Sequence, residues 1–231
     1  MSTVMGWAGV MAAGLWVTLE LVALAGLISV LLGAALSVMF ISPHRFVRAI
    51  ARLYVDIFRS IPLLALLFFL YYVLGRYTET LGLSSFALAV LGLALNEAAY
   101  VSEIYRAGLR SVPDMQWEAG TSLGLGWWGV FTRVILPQAL PPAMPATLNM
   151  LIQLIKNSAL ASLIAVNEVS MSATILVSET FKPFEVFTLL AVMYLALIVP
   201  LTLLSGKVET FLARRLGLAA PRAAKAVAEP A

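Results

Sequence analysis

Two ionisable residues, Glu97 and Lys156, each lie inside a long apolar stretch of this 231-residue sequence. Each stands about eleven residues into its stretch, which corresponds to roughly 16 Å at the rise of an α-helix. An unpaired charge at membrane depth costs at least ~2.5–3.5 kcal/mol, so such residues are candidates for a functional site. Because the two stretches would cross a bilayer in opposite directions, we expect both charges near its midplane.

Two interpretations of this pair remain open. In the first, Glu97 and Lys156 neutralise each other and only fix the packing of their helices. In the second, a zwitterionic amino acid inserts itself between the ammonium and the carboxylate, in a cavity at the midplane. Polar residues at similar depth, or within about two helical turns, complete the candidate substrate pathway: Asn96, Asn149, Gln153, Asn157 and Ser158.

For other charged residues near the predicted cytoplasmic edge of the membrane we expect simpler roles. Glu103 and Arg106 are three residues apart and could pair on one helix face. Asp56 and Arg59 have the same spacing, and we assign them a structural role.

A polar stretch at 118–126 contains small residues and several glycines, and it lies between apolar segments. It predicts a short helix with Glu118 near its start, where the helix dipole favours a carboxylate. Gly124 permits the left-handed turn that ends such a helix. The stretch is either a linker helix at the membrane interface or a plug that docks a soluble partner at the cytoplasmic face.

The composition predicts an integral membrane protein. Hydrophobic residues make up 61% of the chain and charged residues 12%, with a mean hydropathy of +0.96. Soluble domains carry about 25% charged residues, so this chain could not cover itself with polar surface. Without cysteine, and with His44 as the single histidine, it offers no metal cluster or thiolate nucleophile. It also lacks a phosphate-binding loop, so we expect no cofactor, no metal, no catalysis and no nucleic-acid partner.

Hydropathy and charge together predict an all-α fold with five transmembrane helices. The predicted spans are 12–41, 53–74, 86–106, 145–166 and 186–211. Lysine and arginine concentrate in the connections after the first and third spans and after the fifth, whereas the opposite connections hold only Arg76 and Lys182. This asymmetry predicts the N-terminus outside and the C-terminus in the cytoplasm.

The one long connection, 110–145, is then cytoplasmic, and it carries the short helix between the third and fourth spans. Pro137 and the pair Pro141 and Pro142 are expected to stop one helix and to set the entry of the next. Residues 1–217 form the predicted transmembrane domain. The tail 218–231 is small and polar, which predicts a disordered cytoplasmic segment.

Several motifs resemble the permease subunits of ABC importers, in particular the polar amino-acid (histidine, glutamine and arginine) type. The EAA loop of that family is matched by Glu118-Ala119-Gly120, by Gly124, and by Leu136-Pro137 after an isoleucine. Further matching segments, which extend the resemblance over roughly 15–217, are 58–64, 99–104, 111–119, 136–139 and 156–160. Departures are Gly120 for the second alanine, a Ser-Ile pair at 60–61 for Gly-Thr, and Ala159 for a frequent serine.

The resemblance implies a multi-pass type I importer subunit in the bacterial cytoplasmic (inner) membrane, with a polar amino acid or a close relative as cargo. It implies a second permease subunit, identical or related, a cytoplasmic ATPase dimer that hydrolyses ATP, an extracytoplasmic (periplasmic) solute-binding protein, and the lipid bilayer as partners. The coupling helix would dock on the ATPase through Glu118, Ala119, Gly120, Gly124, Leu136 and Pro137. The alternative is a self-sufficient secondary transporter or channel, which usually has an internal repeat and coupling charges. A membrane-embedded enzyme is a third option.

Overall fold

The structure, a computed structural model, describes residues 2–77 and 83–215, without the side chains of 2–5, 77 and 215. The described ranges contain helices and no strand, in agreement with the predicted all-α class. The tail 218–231 and the last residues of the predicted domain lie outside the described ranges, so the prediction of disorder is not tested.

Three long apolar helices can each cross a membrane by length and composition. They are α1 (Ser2–Phe40), α4 (Ser85–Arg110) and α9 (Pro183–Arg215). They correspond to the predicted first, third and fifth spans. Helices of 39, 26 and 33 residues exceed the roughly 20 residues that a perpendicular span requires. These helices therefore tilt or extend beyond the hydrocarbon layer.

The predicted second span is broken rather than straight. It consists of α2 (Arg45–Ser60) and of α3 (Leu63–Phe69), which continues through a π turn at Leu70–Leu74 and a 3₁₀ turn at Gly75–Tyr77. The two halves meet at an angle of 99°. Pro62 causes the break, because it has no N–H and forces the preceding Ile61 into an extended conformation, with ψ at 124°.

The predicted fourth span is also bent, and it begins earlier than expected. Helix α6 (Trp127–Val130) continues through a π turn at Phe131–Ile135 into α7 (Leu136–Asn157) and a 3₁₀ segment at Ser158–Ile164. Helix α8 (Val169–Thr180) follows at an angle of 51°. The described chain therefore has three candidate spans, or up to five if each bent pair counts as one.

The expectation that prolines end a helix in this connection is wrong. Pro137 lies in the first turn of α7, and three more prolines lie inside that helix: Pro141, Pro142 and Pro145. The π turn immediately before Pro137 widens the backbone at the point where the proline ring would clash with a carbonyl one turn back. The helical rod thus continues past the prolines.

The core is built where α1, α3, α4 and α7 meet. Its fully buried members include Leu21, Leu67, Leu93 and Leu154. Close approach of α1 to α4 depends on Gly33, since a Cβ atom there would lie 2.5 Å from Cγ1 of Val101. Membrane helices often use small residues in this way, because direct packing replaces the hydrophobic driving force between them.

The bend before α8 is held by a buried carboxylate. Glu168 caps α8, accepting hydrogen bonds from the backbone nitrogens of Ser170 (2.7 Å) and Met171 (2.9 Å). Its other oxygen accepts a bond from the hydroxyl of Thr18 at 3.2 Å, which ties the bend to α1. The hydroxyl of Thr18 in turn accepts the backbone N–H of Val169 at 3.2 Å.

Candidate functional site

A cavity of about 610 Å³ lies at the break between α2 and α3, against α4 and α7. We call it the central cavity. It is lined by Arg59, Ser60, Ile61, Pro62, Leu63, Asn96, Glu97, Tyr100, Ile104, Ala146, Met150, Gln153 and Asn157. Four of the seven predicted substrate-pathway residues are therefore brought together here: Asn96, Glu97, Gln153 and Asn157.

The carboxylate of Glu97 is held in place from α7. Glu97 is 3% exposed, and its Oε1 accepts a hydrogen bond of 2.9 Å from Nδ2 of Asn157. The Oδ1 of Asn157 accepts a bond of 3.2 Å from Nε2 of Gln153, one turn earlier on the same helix. This chain of bonds positions an acidic group at the cavity wall and leaves its second oxygen available to a ligand.

Asn96 supports the helix break that forms the cavity. In a continuous helix the carbonyl of Phe58 would accept the N–H of residue 62, but that residue is Pro62 and has no N–H. Nδ2 of Asn96 donates to this carbonyl instead, at 2.8 Å. Tyr54 adds a second link from α2, since its hydroxyl donates to the carbonyl of Leu95 at 2.8 Å. The break is thus stabilised from α4.

Arg59, for which a structural role beside Asp56 was expected, lies at the central cavity. Its guanidinium lines the central cavity, and its Cζ lies 5.4 Å from the centre of the Tyr100 ring. No ion pair joins it to Asp56 in the part of the chain that the structure describes. The sequence did contain a signal for this position, because Arg59 belongs to the motif 58–64, which resembles a motif of the permease family.

The ion pair between Glu97 and Lys156 does not form. The one ion pair among the described residues joins Glu103 and Arg106, which confirms the i, i+3 prediction for those two. Lys156 is exposed and lies outside the set of residues that line the central cavity. Its neighbour Asn157 takes the place beside Glu97, because adjacent residues in a helix project about 100° apart.

Two other predicted pathway residues are used in packing. Oδ1 of Asn149 accepts a hydrogen bond of 3.0 Å from the hydroxyl of Ser205, and this bond links α7 to α9. Ser158 is buried, and its hydroxyl donates to the carbonyl of Ile155 at 2.7 Å. Neither residue is among those lining the central cavity.

The predicted short helix is present as α5 (Asp114–Ser122). It begins four residues before Glu118, so the expectation that Glu118 lies near its start is wrong. Pro113 sets the entry, and Asp114 is the acidic residue of the first turn, where it complements the helix dipole. Glu118 and Ala119 lie in the second turn with exposed side chains.

The end of α5 confirms the predicted glycine turn. Gly124 has a φ of +78°, a conformation that other residues adopt only with strain. The backbone nitrogen of Leu125 donates to the carbonyl of Gly120 at 3.2 Å, and that of Gly124 donates to Thr121 at 2.9 Å. These two bonds form a Schellman motif, which stops the helix sharply.

The small residue Gly120 serves a contact inside the chain. A Cβ atom at Gly120 would lie 2.8 and 2.9 Å from the two methyl carbons of Val130. Val130 belongs to a buried cluster that seats α5 on the start of the long α6–α7 rod: Leu109, Val112, Val130, Phe131, Ile135 and Ala139. Leu136 is partly buried against the same cluster, while Pro137 is exposed.

The opposite face of α5 is open. Met115 is 72% exposed, and Leu123, just after the helix, is 81% exposed. Together with Glu118 and Ala119 they give α5 an outward surface that is partly apolar and partly acidic. A rigid short helix with one seated face and one exposed face can transmit a displacement to the helices below it.

Sequence comparison relates the chain to known transport proteins. Residues 7–217 match the family described as binding-protein-dependent transport system inner membrane component. The nopaline transport system permease protein NocM of Agrobacterium fabrum is 37% identical over 220 residues, covering 90% of this chain and 91% of NocM. The glutamate transport system permease protein GluC of Corynebacterium efficiens is 37% identical over 204 residues, covering 83% of this chain and 89% of GluC.

Solved structures share the fold. A crystal structure of an amino acid ABC transporter with histidines has a TM-score of 0.79 and 31% identity, covering 92% of this chain and 97% of that one. An inward-facing MetNI methionine ABC transporter has a TM-score of 0.74 at 22% identity, which relates the folds alone. The resemblance to ABC-importer permeases that the motifs indicated is confirmed. The chain belongs to the family of inner membrane components of binding-protein-dependent transport systems.

Proposed function

We propose that this chain is the permease subunit of an ATP-driven importer that carries a polar amino acid or a close relative. The observation that supports this cargo is the central cavity, whose wall presents a guanidinium, that of Arg59, and a carboxylate, that of Glu97. Its volume of about 610 Å³ falls in the range of small-molecule sites. The two charges are those that a zwitterion requires.

Arg59 and Glu97 have complementary roles in this proposal. The planar guanidinium of Arg59 would bind the cargo carboxylate through two parallel N–H donors. The carboxylate of Glu97 would bind the α-ammonium group, with Asn157 holding it in position. Arg59 thus takes the role that the sequence analysis gave to Lys156.

The orientation that we propose has the N-terminus outside, five spans including the two bent pairs, and the C-terminus in the cytoplasm. It is supported by the arginines near the start of α2 and the end of α4, because cytoplasmic connections are rich in basic residues. Arg45, Arg48 and Arg52 lie in the first turns of α2, and Arg110 is the last residue of α4. Helix α5 follows within four residues and would therefore be cytoplasmic.

Coupling to ATP hydrolysis would pass through α5. Its outward face would dock on a cytoplasmic ATPase, while Gly120 keeps its inner face against Val130. From Val130 the helical rod continues through α7 to Asn157, a helix of 22 residues or roughly 33 Å. A rigid-body movement of α5 would therefore reach the residue that positions Glu97.

The assembly that we propose contains two permease subunits, two ATPases and an extracytoplasmic binding protein, in a bacterial cytoplasmic membrane. The rival function, a secondary transporter or channel, would operate without ATP. Uptake of labelled amino acids into proteoliposomes that contain the chain, its ATPase and its binding protein separates the two. We expect uptake that requires luminal ATP and the binding protein, whereas uptake driven by an ion gradient alone would refute the proposal.

The cargo assignment has its own test within the same system. Glu97→Gln keeps the size of the side chain and an acceptor for Asn157, but it removes the charge that would bind the ammonium. Loss of a hydrogen bond to a charged group costs about 1.5–3 kcal/mol, so we expect the apparent affinity for cargo to fall at least tenfold. An unchanged KM in a well-assembled Glu97→Gln complex would contradict the assignment.

A further inference from the structure

A second cavity, of about 400 Å³, shares one lining residue, Arg59, with the central cavity. We call it the basic vestibule. Its lining residues are Phe40, Arg48, Arg52, Val55, Asp56, Arg59, Glu103, Arg106 and Arg110. Five arginines against two carboxylates give this lining a net charge of +3. Such a concentration of one charge in a cleft attracts ions of the opposite sign.

Two of these arginines are not engaged by the protein itself. Arg106 pairs with Glu103, and Arg48 donates to the backbone carbonyls of Ser42 at 2.6 Å and Pro43 at 2.9 Å. Arg52 and Arg110, in contrast, form no hydrogen bond or ion pair with any residue that the structure describes. Their charges remain available to a mobile anion.

Arg59 connects the two cavities, because its side chain lines both. Arg52 lies seven residues earlier on α2, on the same face and about 10.5 Å lower along the helix axis. Arg48 lies one turn further toward the helix start. The guanidinium groups therefore form a row that leads from the central cavity to the proposed cytoplasmic end of α2.

We propose that the basic vestibule is the exit for cargo and that it favours amino acids of net zero or negative charge over cationic ones. A carboxylate released by Arg59 would next meet Arg52 and then Arg110. A side chain with an extra ammonium would be repelled along the same path. This inference rests on the proposed function, since it takes the central cavity as the cargo site.

The size of the selection follows from Coulomb's law. One unit charge at roughly 6 Å in a water-filled space changes the local concentration of a monovalent ion about threefold at low ionic strength. Neutralising both Arg52 and Arg110 should therefore reduce the attraction for an anion about tenfold. Salt should weaken the effect, because the Debye length at 0.15 M is about 8 Å.

The test uses proteoliposomes that contain the whole importer complex, with its cytoplasmic side facing the lumen. The lumen holds ATP and either a dicarboxylic amino acid or a diamino acid, at matched ionic strength, and labelled cargo is offered outside with the binding protein. An amino acid that enters the vestibule from the lumen should compete with release and slow uptake. Because Arg52 and Arg110 would enrich the anion about tenfold and deplete the cation about tenfold, we expect the dicarboxylic amino acid to inhibit at about a hundredfold lower concentration than the diamino acid at low ionic strength.

Three variants locate the effect. In the double variant Arg52→Gln/Arg110→Gln, the inhibitory concentration of the dicarboxylic amino acid should rise about tenfold. Arg45→Gln is the matched control, since Arg45 is an exposed arginine on α2 that lines neither cavity. Arg45→Gln should leave the inhibition unchanged. Uptake without luminal amino acid shows that each variant is assembled.

The possible results are distinct. Equal inhibition by the two amino acids in the wild-type complex overturns the vestibule proposal and leaves the proposed function intact. Absence of any ATP-dependent uptake in the wild type overturns both. Should the double variant fail to assemble, the wild type still decides: raised luminal salt must reduce the preference for the dicarboxylic amino acid, and a salt-independent preference contradicts an electrostatic origin.

Discussion

Gly120→Val is the substitution that most sharply tests how α5 is seated. A Cβ atom at this position would lie 2.8 Å from one methyl carbon of Val130 and 2.9 Å from the other. Carbon atoms pack best at about 3.5–4.0 Å, so α5 and Val130 would have to separate by roughly 1 Å. Val130 is fully buried, and its branched side chain has little freedom to turn away.

The expected cost combines two opposing effects. Overpacking a well-filled contact costs about 1–3 kcal/mol. Valine is a better helix former than glycine by about 0.3–0.5 kcal/mol, which offsets a small part. The net destabilisation of about 0.5–2.7 kcal/mol corresponds to a fall in Tm of about 1–11 °C for a chain of this size. Because the shift moves α5, ATP hydrolysis should also drive less uptake per ATP.

The assay is thermal unfolding of the purified chain in detergent, followed by uptake and ATPase rates in the assembled complex. Gly206→Val is the matched control, since Gly206 lies inside α9 with no atom within 4 Å of its Cβ position. Val130→Ala should rescue Gly120→Val, with a coupling energy of about 0.5–3 kcal/mol in the double-mutant cycle. Equal Tm values for Gly120→Val and Gly206→Val, or an additive cycle, would refute the packing argument.

Three further predictions follow from the site and its support. Arg59→Gln should lower the rate of uptake at least tenfold, whereas Lys156→Met should keep it within about twofold, because Lys156 is exposed outside the central cavity. Transport assays in which Lys156→Met lowers uptake more than Arg59→Gln would favour Lys156 as the residue that binds the cargo carboxylate. Glu168→Ala leaves the donors of Ser170 and Met171 without their acceptor and should lower the free energy of unfolding by about 2–4 kcal/mol, and an unshifted thermal unfolding curve would contradict the capping role. Asn96→Ala removes the donor to the Phe58 carbonyl and should cost about 1–3 kcal/mol in the same measurement, against which Asn149→Ala provides a comparison away from the central cavity.

Much of the architecture could be predicted from hydropathy. The three unbroken spans each contain an apolar stretch long enough to cross a membrane. Gly124 marks the end of α5 because only a few residue types accept a positive φ. The two bent spans were missed for a physical reason. A hydropathy average over some 20 residues contains no information on direction, so it does not detect that the helix turns by 99° at Pro62.

The composition of the site was predicted better than its geometry. Depth along a helix follows from residue counting, and it predicted Glu97, Gln153 and Asn157 within two helical turns of one another; the structure places all three in the lining of the central cavity. The direction of a side chain around the helix does not follow from depth, so Lys156 was expected to face Glu97, where the structure places Asn157, its neighbour on another face. Arg59 was missed because a straight second span would place it near the membrane edge, whereas the break at Pro62 brings the end of α2 to the cavity.

A structure of the assembled importer with its cargo bound tests the central claim most directly. The account predicts an amino acid in the central cavity, with its carboxylate oxygens within about 2.7–3.2 Å of the guanidinium nitrogens of Arg59. Its ammonium group should be at the same distance from the carboxylate of Glu97, which should still accept the bond from Asn157. Cargo bound beside Lys156, or in a site that contains neither Arg59 nor Glu97, would contradict the account.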